Sequence, residues 1–208
     1  MDIPREADRH GIDIDRIARL AADQTRRRVS VGDIMAAMGN GGTLMLTLLF
    51  ALPNAVPALP GTSTILGLPL LFLTVQLARD MTPRVPWWIA RQSVRRTDFA
   101  VIVERLRALF SLADGLSSPR LGAFAGARAV RFAGGLGIVL SMVLILPLPL
   151  VNVPIGVALV LMALGGLRAD GLLMALGMTA GVGSLAFSAI VIAGLVKIGS
   201  HVVAPLHF

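Results

Sequence analysis

Two clusters of uncharged polar residues stand inside long apolar runs, each beside prolines that break a helix. In the first, Pro53-Asn54-Ala55-Val56-Pro57-Ala58-Leu59-Pro60-Gly61 leads into Thr62, Ser63 and Thr64. In the second, Pro147, Pro149, Asn152 and Pro154 follow one another closely. Proline removes a backbone donor and disrupts the helical ladder, so each break frees carbonyls and amides that must face protein or a wet cavity rather than lipid. Corresponding breaks in two halves of a chain commonly build a binding site near the bilayer midplane. Half-helices beginning after Gly61 and after Pro154 would offer free amides to an anionic group, and Asn54, Thr62, Ser63, Thr64 and Asn152 are the side chains placed to line it. The same residues would serve equally to cap their own helices and mend the broken backbone.

Other candidates for chemistry are few. Asp80 and Asp170 could exchange protons, but they lie at segment ends beside Arg79 and Arg168, where interfacial ion pairs are the simpler reading. His10, His201 and His207 are scattered and have no metal-ligand spacing. The chain has no cysteine, which excludes disulfides and thiol nucleophiles. No nucleophile elbow, Gly-rich phosphate loop or embedded carboxylate pair is present, so no catalytic residue and no cofactor is expected.

The elements that must position these residues belong to a membrane protein. Of 208 residues 55% are hydrophobic and 15% charged, far from the balance of a soluble domain. Six of the seven net positive charges come from residues 79–131, which hold ten arginines against four acids, and this excess flanks apolar runs as in the positive-inside pattern. Binding of nucleic acid is not expected, since no recognition motif accompanies the charge.

Residues 1–42 read as amphipathic helices on the cytoplasmic side: one over 12–27, and a short one opened by Ser30-Val-Gly-Asp33 as a capping box and closed at Gly39-Asn40-Gly41-Gly42. Their alternating charges do not form a cleavable signal. Residues 43–80 form a first hairpin. The charge-free stretch 43–78 would be about 54 Å long as one helix, beyond a hydrocarbon core of about 30 Å, so a re-entrant pair broken at Pro53 to Gly61 is expected. Residues 81–131 form a basic segment, with Trp87 and Trp88 beside Arg84 and Arg91 as an interfacial anchor. It continues into an amphipathic helix with Phe99, Ile102, Val103, Leu106, Leu109 and Phe110 on one face. Residues 132–170 form a second hairpin, broken at Pro147, Pro149 and Pro154. Both hairpins carry a Pro/Asn break and an Arg/Asp exit, which suggests an internal repeat. Residues 171–208 hold the one simple spanning helix, 171–196, whose small residues Gly177, Gly181, Gly183, Ser184 and Ser188 suit packing within the chain. The predicted fold is thus an all-α integral membrane protein with two Pro-broken re-entrant hairpins and one C-terminal span.

The run GDIMAAMGNGGTLMLTLLFALPNAVPALPGTSTILGLPLLFLTVQLARD, Gly32 to Asp80, resembles the signature region of the ExoD family of exopolysaccharide synthesis proteins. PWWIARQ, the amphipathic helix and the second broken hairpin follow in the same order. The resemblance implies a bacterial inner-membrane protein connected with exopolysaccharide production, and it carries no catalytic residue across. With it, the break site would suit a phosphate or diphosphate on a lipid-linked glycan, bound or transported as polysaccharide precursor. The alternative is a regulator or assembly factor that holds a polysaccharide synthase or exporter through the basic segment. Expected partners are membrane lipids, the glycan and a second copy of the chain, because one subunit of this size gives few walls to a pathway.

Overall fold

The structure, a computed structural model, describes residues 17–23, 25, 27–38, 41–56, 62–80, 86–116, 126–146, 148 and 150–203, and the backbone alone for 62–65, 88, 112–116 and 199–203. Pro57, Pro60, Gly61, Pro147 and Pro149 lie outside the described residues.

The polar segments form a cap at one end. Residues 17–22 are helical, and Ile17 and Ala21 turn inward at the spacing of an amphipathic face. Strand β1 (Arg28–Ser30) runs directly into helix α1 (Val31–Met38). The junction is a reciprocal capping box. The Asp33 carboxylate accepts from the Ser30 amide (2.9 Å) and hydroxyl (2.7 Å), while Ser30 Oγ accepts from the Asp33 amide (3.1 Å). A one-turn helix, α4 (Trp87–Ala90), leads into strand β2 (Ser93–Arg95), which pairs antiparallel with β1 in the register Arg28↔Arg95, Val29↔Val94 and Ser30↔Ser93. This short ribbon, which the helical reading of residues 1–42 and 81–131 did not include, joins them by β-pairing into one cap. The amphipathic helix α5 (Arg96–Leu116) buries Phe99, Val103, Leu106 and Phe110 and exposes Glu104, Arg105 and Arg107, as its periodicity predicts.

Helices α2 (Gly42–Ala51), α3 (Thr62–Arg79), α6 (Ala127–Ile145), α7 (Asn152–Leu167) and α8 (Gly171–Val203) form the apolar bundle. A 3₁₀ turn, Leu52–Ala55, continues α2. The hairpins are interlaced: α3 packs mainly on α6, and α2 with its 3₁₀ turn packs on α7. Glycine makes these approaches possible. A Cβ at Gly134 would stand 2.8 Å from Ala78 Cα, one at Gly156 2.5 Å from Ala55 N, and one at Gly67 2.9 Å from Ile145 Cγ1. Gly67 stands thirteen residues before Asp80, and Gly156 thirteen before Ala169; Asp80 and Ala169 both take positive φ, 50° and 49°, where their hairpins end.

Two helices, Ala127–Ile145 and Gly171–Ile198, are long and apolar enough to cross a membrane. The first corrects the sequence boundary, which ended the basic segment at residue 131 and left 171–196 as the one simple span. Its first turns carry Arg128 and Arg131, charges that read as loop. Helix α8 packs on α7 through Gly177 against Met162 and through Met174 against Gly165, and on α6 through Gly181 against Leu136. Continued along the antiparallel α7–α8 pair, that register sets Val151, at the start of α7, level with residue 188 of α8. Ile190, Val196 and Ile198, all exposed, extend past that level.

Candidate functional site

The first hairpin tip is seated on the first turns of α7. Asn54 is only 2% exposed, and its Nδ2 donates to the Phe50 carbonyl at 2.9 Å. That amide therefore mends its own helix end, where Pro53 interrupts the ladder. Its backbone lies over Gly156, so the tip and α7 meet with no side chain between them. Asn152 is the first residue of α7; its Oδ1 is buried and has no hydrogen-bond partner among the described residues, and Val151 before it gives the helix no side-chain cap. Pro154, two residues on, sits in the first turn, where a missing amide is harmless. The arrangement brings Asn54, Asn152 and Pro154 into one region. Thr62, Ser63 and Thr64 begin α3, and their side chains lie outside the described residues. Leu150, in the second tip, has φ 66° and is 80% exposed, an unusual posture for a bulky apolar side chain.

The exit charges lie at the opposite, basic end. Asp80 pairs with Arg131 across the two hairpins, not with its neighbour Arg79. Asp170 is the N-cap of α8: its Oδ1 accepts from the Leu172 amide at 2.9 Å and the Leu173 amide at 3.3 Å, while Oδ2 is buried without a hydrogen-bond partner among the described residues. Arg168 donates to the Phe110 carbonyl at 2.6 Å and stands 5.7 Å over the Phe110 ring, tying α5 to the exit of the second hairpin. Burial draws the Arg168 guanidinium below its ordinary value, and the Asp170 carboxylate opposes that shift.

Sequence reasoning passed over a polar seam inside the bundle. Thr43 and Thr47 on α2, Thr74 and Gln76 on α3, and Ser141 on α6 are all buried. Thr47 and Thr74 donate back to the carbonyls of Thr43 (2.8 Å) and Leu70 (2.9 Å), which leaves their lone pairs free. Both line a small cavity with Leu44, Leu77, Ala133, Leu159 and Met174, with room for about one water. The signal was available, since isolated hydroxyls in apolar runs face inward by default. Among the described residues no cluster of His, Asp or Glu could hold a metal ion.

Comparison with known proteins adds three findings. The family model described as "Exopolysaccharide synthesis, ExoD" matches residues 14–190. "Protein ExoD" of Rhizobium meliloti (strain 1021) is 28% identical over 168 residues, covering 78% of this chain and 70% of that protein. No solved structure matches.

Proposed function

We propose, from the premise that this chain belongs to the ExoD family of exopolysaccharide synthesis proteins, that it binds or moves the polysaccharide or its lipid-linked precursor at the tips of two hairpins entering the bacterial inner membrane from the cytoplasm. The observation that carries this reading is the first tip laid over Gly156 beside Asn152, whose Oδ1 is buried without a partner among the described residues, at a helix start lacking a side-chain cap. An orphaned acceptor among orphaned amides suits a ligand that both donates and carries negative charge, as a hydroxyl-bearing glycan phosphate does.

The depth of the tips follows from α8. From Gly171 to the level of Val151 is about 26 Å of helix, and the uncharged sequence continues roughly 12 Å farther before Lys197. If α8 spans, this level lies inside the far leaflet, which supports the re-entrant reading of the hairpins. The exchange of contacts, α2 on α7 as α6 on α3, with matching Gly67 and Gly156, supports an internal repeat about a pseudo-two-fold axis. A homodimer would supply the remaining walls.

Single cysteines placed at Leu146 and Leu150 in this cysteine-free chain are expected to react with a membrane-impermeant thiol reagent, as the wall of a wet site would. Protection of both in a folded protein would count against a substrate site. Alanine at Asn152 is expected to cut polysaccharide output at least about ten-fold at unchanged protein level, equivalent to about 1.4 kcal/mol of lost recognition, whereas alanine at Asn54, which removes the bond to the Phe50 carbonyl, is expected to lower stability. Unchanged output, together with loss of output on substituting Arg95, Arg96, Arg105 and Arg107, would transfer the function to a regulator acting through the cap.

A further inference from the structure

We infer that the β1–β2 ribbon and the Trp87 turn form a docking surface for anionic phospholipid headgroups. The ribbon register sets Arg28 directly opposite Arg95. Like charges across a strand pair repel, and among the described residues neither guanidinium is paired with a carboxylate. Arg28 turns instead onto Ser93, donating to its hydroxyl and its carbonyl, both at 2.8 Å, while Arg95 stays exposed. Arg27 adjoins the same ribbon, its carbonyl accepting from the Arg96 amide at 3.2 Å.

One turn upstream of β2, the Arg91 guanidinium stands 5.3 Å over the Trp87 ring, and Trp87 is 71% exposed. An indole turned outward beside a cation is suited to the headgroup level of a bilayer. The position agrees. Helix α1, which follows β1 without a break, packs on α2, the first apolar arm, and Ala90 of the Trp87 helix lies against Gly32 of α1. Arg79, Arg128 and Arg131 are exposed at this same end of the bundle. A surface of phosphodiester charges would relieve the Arg28–Arg95 conflict and take up the apolar edge of Trp87 in one contact. This inference does not depend on the hairpin tips binding any glycan.

The test uses the full chain in nanodiscs. Tryptophan occurs only at 87 and 88 and tyrosine is absent, so in the Trp88→Phe variant the emission reports Trp87 alone. In nanodiscs containing phosphatidylglycerol, brominated phospholipid is expected to quench that emission at least about two-fold more than in phosphatidylcholine alone. The difference should vanish in high salt. Arg28→Gln with Arg95→Gln should abolish the lipid-charge dependence, and Arg28→Lys with Arg95→Lys should keep most of it. Should the Gln variant fail to fold, the salt titration on the native ribbon carries the test. Quenching indifferent to lipid charge and salt would overturn the inference. So would inorganic phosphate reproducing the change in phosphatidylcholine discs, which would mark a soluble-anion site. Loss of polysaccharide output in the Gln variant with unchanged quenching would point to an acidic protein partner instead, and also overturn it.

Discussion

Valine at Gly156 is expected to leave little folded protein. A Cβ there would stand 2.5 Å from Ala55 N and 2.6 Å from Asn54 O. These are backbone atoms of a 3₁₀ turn, with no flexible side-chain end to move aside. Relief requires α2 and α7 to separate, which loses the seat of the first tip and the contact of one hairpin with the other. Overpacking against a side chain typically costs about 1–3 kcal/mol; against backbone at a crossing, about 3 kcal/mol or more is expected. That is a large fraction of ordinary stability. Gly134, pressed on Ala78, should respond alike. Gly135 and Gly183 meet nothing within 4 Å, so alanine there should be neutral or stabilise by up to about 1 kcal/mol, since helical glycine is entropically costly. Size-exclusion profiles and thermal melts in detergent check the set. A monodisperse Gly156→Val protein with a native melt would mean that the hairpins do not cross there.

The second large effect is expected at Arg168. Replacement by methionine keeps the length and apolar stem of the side chain but removes a charged hydrogen bond to the Phe110 carbonyl and the stacking on its ring. It also leaves the largely buried Asp170 carboxylate without its neighbouring positive charge. A loss of about 2–3 kcal/mol is expected, concentrated on α5 and its docking rather than on the bundle. Hydrogen exchange should show the amides of α5 losing protection while those of α6 and α7 keep theirs. Lysine should recover part of the loss, because it restores the charge but not the planar fork. Equal loss of protection in all three helices would show that Arg168 supports the whole fold, not the docking of α5.

Local signals were the ones the sequence expressed clearly. Ser30 and Asp33 fixed the start of α1 because both partners of a capping box lie within one turn. The apolar face of α5 was visible because its period repeats over about three turns, from Phe99 to Phe110. The pairing of Arg28 with Arg95 was hidden because each strand has three residues and the partners are 67 positions apart. The start of α6 was hidden because Arg128 and Arg131 look like loop charges until Asp80 is seen to meet one of them. Of the site, Asn54 and Asn152 were legible as polar groups at breaks. The roles of Gly134 and Gly156 were not, since a glycine has no chemistry of its own and acquires meaning only from the backbone that arrives against it.

The interlacing of the hairpins also orders the making of the protein. When the ribosome has finished α3, the surfaces around Gly67 and Ala78 have no mate, for α6 and α7 lie some 50–90 residues downstream. At about 5–20 residues per second, that wait is on the order of ten seconds. Through it the first hairpin has no mate from its own chain, and the backbone of Asn54 and Ala55 is unsupported until Gly156 arrives beneath it. Assembly is therefore a closing of two halves late in synthesis, and a ribosome that stalls between them leaves an open hairpin that the second half of another nascent copy could fill.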